Sequence, residues 1–519
     1  MSPAGASIVV TLDIGGSAAK ASAYDVARRA CAGQASRAYP AAGRDADPGM
    51  FDPGAWWLAA VGALRALWQR LDQPAGRCLG ITVSAIRIPF VLVGAGGEAV
   101  MPGLLNKDRR AQAHVGEARA PLGADGLYRL TGHWPAPEFG LPKLLWARAN
   151  HPQAWHRTRT VLQLHDWFIY RLSGTVASER SSAAMSQMLD VRAGTWARGL
   201  LAELGLPAGL LPELRPAGAP AGGLLRAVAD ATGFAAGTPV HVGGGDTHMS
   251  ALSAATGSGI PVVVAGTTAP TVLAVPAAAS ACPSDASFPL LVSDHVVAGQ
   301  RVLETNAGAT GAIAASLDDL GARARGSLRE ALAARGVCLA DGEPGEPLTV
   351  LAGNPFFGPD GWAASPPPTV IGLRDSARGG DVYRAALYGV CLAICATLGC
   401  LLRRSGAVAP FVAATGGMSR SRAWAQLLAD VTGTPVHVRP LERISGRAGA
   451  VLVTGEDPSR RPPHEEETRV HEPDAAAGPL HDAGLARYQR LYRTAQLAAS
   501  AKAQAQAQAQ AEVSCAGPR

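Results

Sequence analysis

No dense run of lysine or arginine occurs in this 519-residue chain, and acidic residues are interspersed with the basic ones. The footprint of a nucleic-acid-binding surface is therefore missing, despite a formal charge of +6 and a pI near 9.0. Charged residues make up only 17% of the chain. Cysteines at paired zinc spacing are also missing: Cys31, Cys78, Cys282, Cys338, Cys391, Cys395, Cys400 and Cys515 are scattered, which fits reduced thiols in the cytoplasm. Cys391 and Cys395 stand one helical turn apart, but without His or acidic companions they suit core packing better than metal binding. Near the N-terminus, Asp13 breaks the first apolar run, so the chain lacks the pattern of an export signal. One long uncharged stretch exists, Ala385 to Leu402, close to the length of a membrane span. Its small residues and single occurrence favour a helix buried between domains, and no membrane partner is expected.

What the chain does contain is 48% hydrophobic residues with 61 glycines and 38 prolines, the composition of a loop-rich globular α/β protein. Its length calls for two or three domains. SIVVTLDIGGSAAKASAYD places a Gly-Gly-Ser turn between two β-rich runs and reads as a hairpin; PVVVAGTTAPTVLAV repeats the arrangement near mid-chain. Two lobes that each contribute one phosphate-facing hairpin would produce this pattern. Between the hairpins, Met50 to Leu71 reads as a helix, Cys78 to Val93 as one or two strands, and Glu138 to Tyr170 as helical runs separated by Pro142 and Pro152. The Pro/Gly-rich stretch from Leu206 to Gly223 reads as a connection towards the lobe boundary. PFVAATGGMSRSRAWAQLLAD reads as strand, turn and amphipathic helix, and KAQAQAQAQAE near the end as a frayed helix or disordered tail.

Three segments can carry chemistry. In TLDIGGSAAK a strand ends at Asp13, and the glycine turn can bring backbone N–H groups and the Ser17 hydroxyl to phosphate oxygens, with Lys20 adding positive charge. An acid at such a strand end can hold Mg²⁺, and phosphoryl transfer requires this charge neutralisation. The segment is no Walker loop, because the Gly-Lys-Ser/Thr ending is absent, and taken alone it is also consistent with a plain tight turn. In HVGGGDTHMSALSAATG three glycines lead to Asp246 at a helix start; the segment alone favours an N-cap aspartate, with a base that turns a hydroxyl into a nucleophile as the other reading. His248, two positions on, faces elsewhere and reads as packing or support for the site. In TGGMSRSRAWAQLLAD the glycine turn can admit an adenine ring, or it can simply be a turn.

Taken in order, these segments resemble the FGGY carbohydrate kinases, which share the actin-like ATPase fold; the resemblance covers roughly Ile8 to Gly455. It implies that the first hairpin binds phosphate through Asp13, Gly15, Gly16, Ser17 and Lys20, with Mg²⁺ at Asp13. The second phosphate loop matches Gly266, Thr267 and Thr268, the catalytic base Asp246, and the adenosine loop Gly416, Gly417 and Ser419, followed by Trp424, Gln426, Ala429 and Asp430. NKDRRA at 106–111, DWFIYRLSG at 166–174 and SERSSAA at 178–184 add agreement. On the sugar side Arg87 and Asp108 match substrate-binding positions, with Arg110 beside them; a carboxylate accepting O–H bonds and an arginine donating to oxygen suit a polyol. SAIRIPFVLVGAGGEAVMPGLLNKDRRA and PVHVGGGD look most like the autoinducer-2 kinase branch, with xylulokinase-like enzymes left open.

The chain also departs from the family pattern. Ile88 replaces the acid that often follows the arginine, Asn106 stands where many members carry tryptophan, Thr415 replaces a glycine and Thr268 a serine. The Gly-Glu-Arg segment is absent around Asn354 to Gly358, and Tyr388 occupies a place often held by glutamate. The expectation is two actin-like (ribonuclease H-like) α/β lobes around a central cleft, 1–248 and 249–470, with a helical and low-complexity tail at 471–519. ATP and Mg²⁺ would bind in the cleft, with a small sugar or polyol as acceptor and a homodimer left open. Alternatives are a regulatory or sugar-binding protein that retains the fold, and an actin-like chaperone, against which the segment around Asp108 and the lack of a peptide-binding β-domain argue.

Overall fold

A computed structural model describes residues 7–40, 47–71, 78–254, 258–266, 268–278, 290–308, 328–333, 337–342, 346–351, 368–439, 446–457 and 468–515. Its first sheet contains β1 (Ile8–Ile14), β2 (Ala18–Asp25), β3 (Ala30–Ala38), β4 (Cys78–Ala85), β5 (Pro220–Gly223) and β6 (Pro239–Gly245), in the order β5-β6-β4-β1-β2-β3. β1 to β3 form an antiparallel meander, whereas β1, β4 and β6 run parallel. β1 is buried along nearly its whole length, as its unbroken apolar run requires of a central strand. Helix α1 (Pro53–Arg70) packs on β2 and β3 and buries Trp56, Trp57 and Trp68 in the first lobe's core. It begins three residues later than the sequence suggests, because Met50–Phe51 pairs with Gly103–Leu104 as a short strand and Asp52 caps the helix by accepting from the Gly54 N–H at 2.8 Å.

The second sheet contains β7 (Pro261–Val264), β8 (Pro270–Pro276), β9 (Leu291–Asp294), β10 (Gln300–Asn306), β11 (Val412–Thr415), β12 (Val436–Val438) and β13 (Arg469–His471), in the order β9-β10-β8-β7-β11-β12-β13. The run β10-β8-β7-β11-β12 repeats β3-β2-β1-β4-β6 in both order and direction. The mid-chain echo of the first hairpin is therefore a structural repeat, and the two-lobed α/β architecture expected from the sequence is observed.

Two expected elements change. Pro142 lies in the first turn of the helix Gly140–Asn150, where its missing N–H is harmless, and the strand Thr160–Gln163 precedes α2 (Leu164–Ser173). A further short helix, α3, spans Arg180–Ala184. The uncharged stretch lies within α5 (Gly379–Ser405), which is long and apolar enough to cross a membrane, yet 61% of its apolar window is buried in the second lobe's core. α6 (Arg422–Thr432) follows β11 as the expected strand-turn-helix, and at the end α8 (Gly478–Cys515) carries the Ala-Gln repeat in helical form and docks through Tyr488 and Tyr492, both fully buried.

Helices α4 (Asp246–Ala254) and α7 (Arg447–Thr454) form the seam between the lobes. α4 leaves β6 directly and packs beside β7, and α7 lies on β1 and β4, so close that a Cβ at Gly449 would meet the Thr11 hydroxyl at 2.1 Å. Arg447 and Arg439, both buried, donate to the carbonyls of Leu252 (2.6 Å) and Ala254 (2.5 Å) and so satisfy the free C-terminal end of α4.

A Cβ at Gly389 on α5 would lie 2.1 Å from the carbonyl oxygen of Val350. Gly389→Ala is therefore expected to destabilise the protein by about 1–3 kcal/mol through overpacking, read as an earlier urea midpoint. An unshifted midpoint would mean that α5 has room to move away.

Candidate active site

β6 ends in Gly243, Gly244 and Gly245, and each position is crowded. An added Cβ would sit 1.7 Å from the Val83 carbonyl oxygen, 2.3 Å from Val296 Cγ1 and 2.6 Å from Arg87 Cδ, respectively. The glycines thus allow β4, the β9–β10 connection and Arg87 to converge on one strand end. Asp246 follows as the first residue of α4, and its Oδ1 accepts the Thr247 N–H at 2.6 Å. This contact is with the adjacent amide, not the bond to an amide two or three residues on that defines a cap, and it sets the carboxylate at the positive end of the helix dipole.

The side chain of Arg87, nearly buried, joins the lobes here. It grips Glu304 of β10 through two hydrogen bonds of 2.6 and 2.8 Å, donates to Thr247 Oγ1 at 2.9 Å and lies 3.7 Å from Asp246 Oδ1. Glu304 was not identified from the sequence; the only signal was an acid among the buried positions of an apolar strand. Burial in the cleft floor pushes the Asp246 carboxyl up to about 6, against the pull of Arg87 and with help from the negative charge of Asp13. Asp13 is itself raised by burial, with the Ser84 hydroxyl donating to Oδ1 at 2.9 Å. His248 is fully buried; Nε2 pairs with Ser293 Oγ at 3.0 Å, and burial and Arg87 hold the ring neutral, in keeping with a packing role.

The first hairpin closes through Gly15 N–H to the Ala18 carbonyl at 3.1 Å, leaving Gly16 and Ser17 exposed at its tip, while Lys20 lies directly across from Asp13. Asp13, Lys20, Ser84, Thr415, Gly446 and Gly449 line a cavity of about 120 Å³. In the second hairpin the Gly266 N–H reaches the Thr268 carbonyl at 2.9 Å; Thr267 and the departure at Asn354 to Gly358 lie outside the described residues. Gly416 adopts φ 98°, and a Cβ there would lie 2.4 Å from the Ala265 carbonyl oxygen, so this turn packs directly on the second hairpin. Gly417 faces open space. Ser419 is buried and closes the turn, its hydroxyl donating to the Gly416 carbonyl at 2.8 Å.

Asp108 lies in a different group. Its oxygens accept from the Arg110 N–H at 2.9 Å and from Arg110 Nε at 2.5 Å, and Arg110 also reaches Asp47. Nearby Lys143, pushed down to about 7 by burial, donates to the Leu105 carbonyl at 2.6 Å. Arg87, Asp246 and Asp13 are therefore brought together, whereas the contacts of Asp108 are with Arg110. Asn106 is exposed and accepts the Lys107 N–H, and Tyr388 pairs with His481 between α5 and α8. Ile88 holds φ 87°, a strained value for a β-branched residue, and packs against Ala136, Phe139, Met185 and Leu291. The acid expected beside Arg87 is thus replaced by an apolar wall.

The residues around Asp13 suit a nucleotide with its metal: a half-buried carboxylate raised by desolvation would gain from a cation, and Lys20 from phosphate oxygens. Among the described residues no group of three or more His, Cys, Asp or Glu side chains could form a cage around a metal. Magnesium held by one carboxylate and substrate phosphates needs none.

Residues 8–253 match the N-terminal domain of the FGGY family of carbohydrate kinases, and residues 261–455 match its C-terminal domain. The chain is 26% identical over 464 residues to the autoinducer-2 kinase of Salmonella typhimurium, covering 86% of this chain and 85% of that one. It is 29% identical over 480 residues to the xylulose kinase of Streptomyces rubiginosus, covering 88% and 91%. Among solved structures, the xylulose kinase of Rhodospirillum rubrum superposes with a TM-score of 0.76 at 26% identity, covering 94% of this chain and 98% of that one.

Because Arg87 and Glu304 are a nearly buried pair, removing one partner strands the other charge. Glu304→Ala is expected to cost about 3–5 kcal/mol in chemical denaturation, and the Arg87→Met/Glu304→Leu double variant less than the sum of the two single changes. Additive losses would show that the two side chains act independently.

Proposed function

The chain belongs to the FGGY family of carbohydrate kinases, phosphotransferases with an alcohol group as acceptor, and from that premise we propose a specific assignment of its cleft. In this reading the enzyme transfers the γ-phosphoryl group of ATP to a hydroxyl of a small ketopentose or polyol-like substrate, autoinducer-2-like or xylulose-like. The observation that carries it is the Asp246 carboxylate, raised to about 6 and set at the glycine-crowded end of β6, beside Arg87 and on the same cleft floor as Asp13.

A sugar hydroxyl attacks poorly unless its proton is accepted as the new bond forms. Asp246 accepts that proton, and its raised affinity makes it a better base near neutrality than an ordinary aspartate while leaving it ionised at pH 7. Arg87, held in place by Glu304, offers donors to the other sugar oxygens, and Ile88 limits the space beside it. Opposite, Lys20 and the backbone N–H groups of the two hairpins hold the phosphates, with Gly417 leaving room for the adenine ring. Bound at Asp13, Mg²⁺ supplies charge neutralisation for the migrating phosphoryl group. Lobe closure over α4 and α7 excludes water, so that the hydroxyl and not water takes the phosphate. The proposed lobe division lies near 248/249, within α4, and the proposed compartment is the cytoplasm.

Asp246→Asn, which keeps the shape of the side chain, is expected to reduce sugar phosphorylation by about 10²-fold or more while ATP affinity stays within a few-fold of the native value. Ketopentoses, polyols and the autoinducer-2 precursor, screened by coupled ADP release, identify the acceptor. Full turnover by the variant would remove Asp246 from the base role. ATP binding by the native protein with no product from any acceptor would instead favour a regulatory or sugar-binding protein. Because the base must be unprotonated, kcat/KM should fall as pH drops through about 6, well above the 3.8 of an unperturbed aspartate. An acid limb near 4 would contradict the environment described for Asp246.

A further inference from the structure

The glycine run before Asp246 poses a mechanical problem. Glycine is the residue that close approach demands at 243, 244 and 245, yet it has the greatest backbone freedom, so rigidity at this strand end must come from outside the strand. The ladder does not supply it at the critical point, because the register between β6 and β4 slips between His241 and Gly244.

We propose that two buried carboxylate-anchored relays, Asp166–His165 to Gly243 and Glu179–Ser181 to Gly245, are positioning devices that hold the catalytic base in place. The proposal rests on the reading of Asp246 as the base. In the first relay the Gly243 N–H donates to His165 Nε2 at 3.1 Å, and His165 Nδ1 lies 2.9 Å from Asp166 Oδ1. The amide can only donate, so Nε2 must carry a lone pair and Nδ1 the proton, which Asp166 accepts. In the second, the Gly245 N–H donates to Ser181 Oγ at 3.1 Å, and the Ser181 hydroxyl donates to Glu179 Oε2. The same carboxylate oxygen accepts the backbone N–H of Ser181 at 2.9 Å and of Ser182 at 3.3 Å, fixing Glu179 at the start of α3.

His165, Asp166, Glu179 and Ser181 are all at most 2% exposed and have no access to a substrate in the cleft, so they act through the backbone. The two anchored amides flank Gly244 and lie within three residues of Asp246, so they define the peptide planes that aim its carboxylate. Errors of about 1 Å in such placement cost about 10²-fold in rate. The DWFIYRLSG and SERSSAA segments, which carry no reactive group into the cleft, thereby acquire a task.

The test compares Ser181→Ala, His165→Leu and His165→Gln in the native enzyme and in the Asp246→Asn background, measuring kcat, KM for ATP and sugar, and the thermal midpoint. Ser181→Ala and His165→Leu are expected to lower kcat by about 10-fold or more while KM for ATP stays unchanged; His165→Gln, which retains an acceptor for the Gly243 N–H, should recover most of the rate. In the Asp246→Asn background the residual rate should fall no further, because no base remains to be aimed. Equal losses in both backgrounds, or His165→Gln as slow as His165→Leu at the same thermal midpoint, would overturn the relays. Should the variants unfold, His165→Gln and the Asp246→Asn comparison at lower temperature carry the same decision. An inert Ser181→Ala and His165→Leu beside an inactive Asp246→Asn overturns the relays alone, whereas an active Asp246→Asn overturns the base reading and the relays with it.

Discussion

Everything at the end of β6 depends on the absence of three side chains. Without Cβ atoms at Gly243, Gly244 and Gly245, the carbonyl of Val83, the side chain of Val296 and the stem of Arg87 all approach closer than any other residue would allow. The approach delivers Arg87 to Asp246 and, through Arg87, couples Glu304 of the second lobe to the strand end of the first. It also desolvates Asp246 and thereby raises its proton affinity. Steric room, electrostatic tuning and contact between the lobes are consequences of one packing constraint.

The repeated sheet order gives this constraint a setting. Each lobe opens its sheet with a hairpin in the same place, and α4 and α7 occupy the seam, α4 rooted in the first sheet and packed on the second, α7 the reverse. α4 is held at both ends: at its start by the crowded glycine run, at its finish by Arg439 and Arg447 on its last carbonyls. A helix so fixed suits a residue whose carboxylate must meet a hydroxyl within a fraction of an ångström.

The legible and illegible parts of the site differ in the range of the contacts that define them. Asp13, the Gly15–Gly16–Ser17 turn, Lys20 and the strand-turn-helix around Gly416 were readable because each is a local pattern of turn and strand chemistry, and their chain order carried the resemblance to a family. Glu304 was not readable, since its partner Arg87 stands 217 residues away and neither residue's surroundings announce the other. Ser181 and His165 lie 64 and 78 residues from the amides they hold, and locally they resemble an ordinary helix cap and a helix start. The short strand Met50–Phe51 was hidden for the same reason: its partner Gly103–Leu104 is remote, while the adjoining residues favour helix.

The amino-acid sequence by itself determined that this is a loop-rich α/β protein with a glycine hairpin near its start, an echo of it near mid-chain and an aspartate behind three glycines, because these depend on composition, alternation and turn residues close together in the chain; the order of those segments added two lobes through a family resemblance. It equally left Asp246 as either a helix cap or a base, and Asp108 as a companion of Arg87. Tertiary structure decided what surrounds each of them: Arg87, Glu304 and Asp13 gather near Asp246, while Arg110 engages Asp108. The reason is physical: a carboxylate's proton affinity and reach are set by the charges and the burial imposed by segments distant in the chain, which no local pattern encodes.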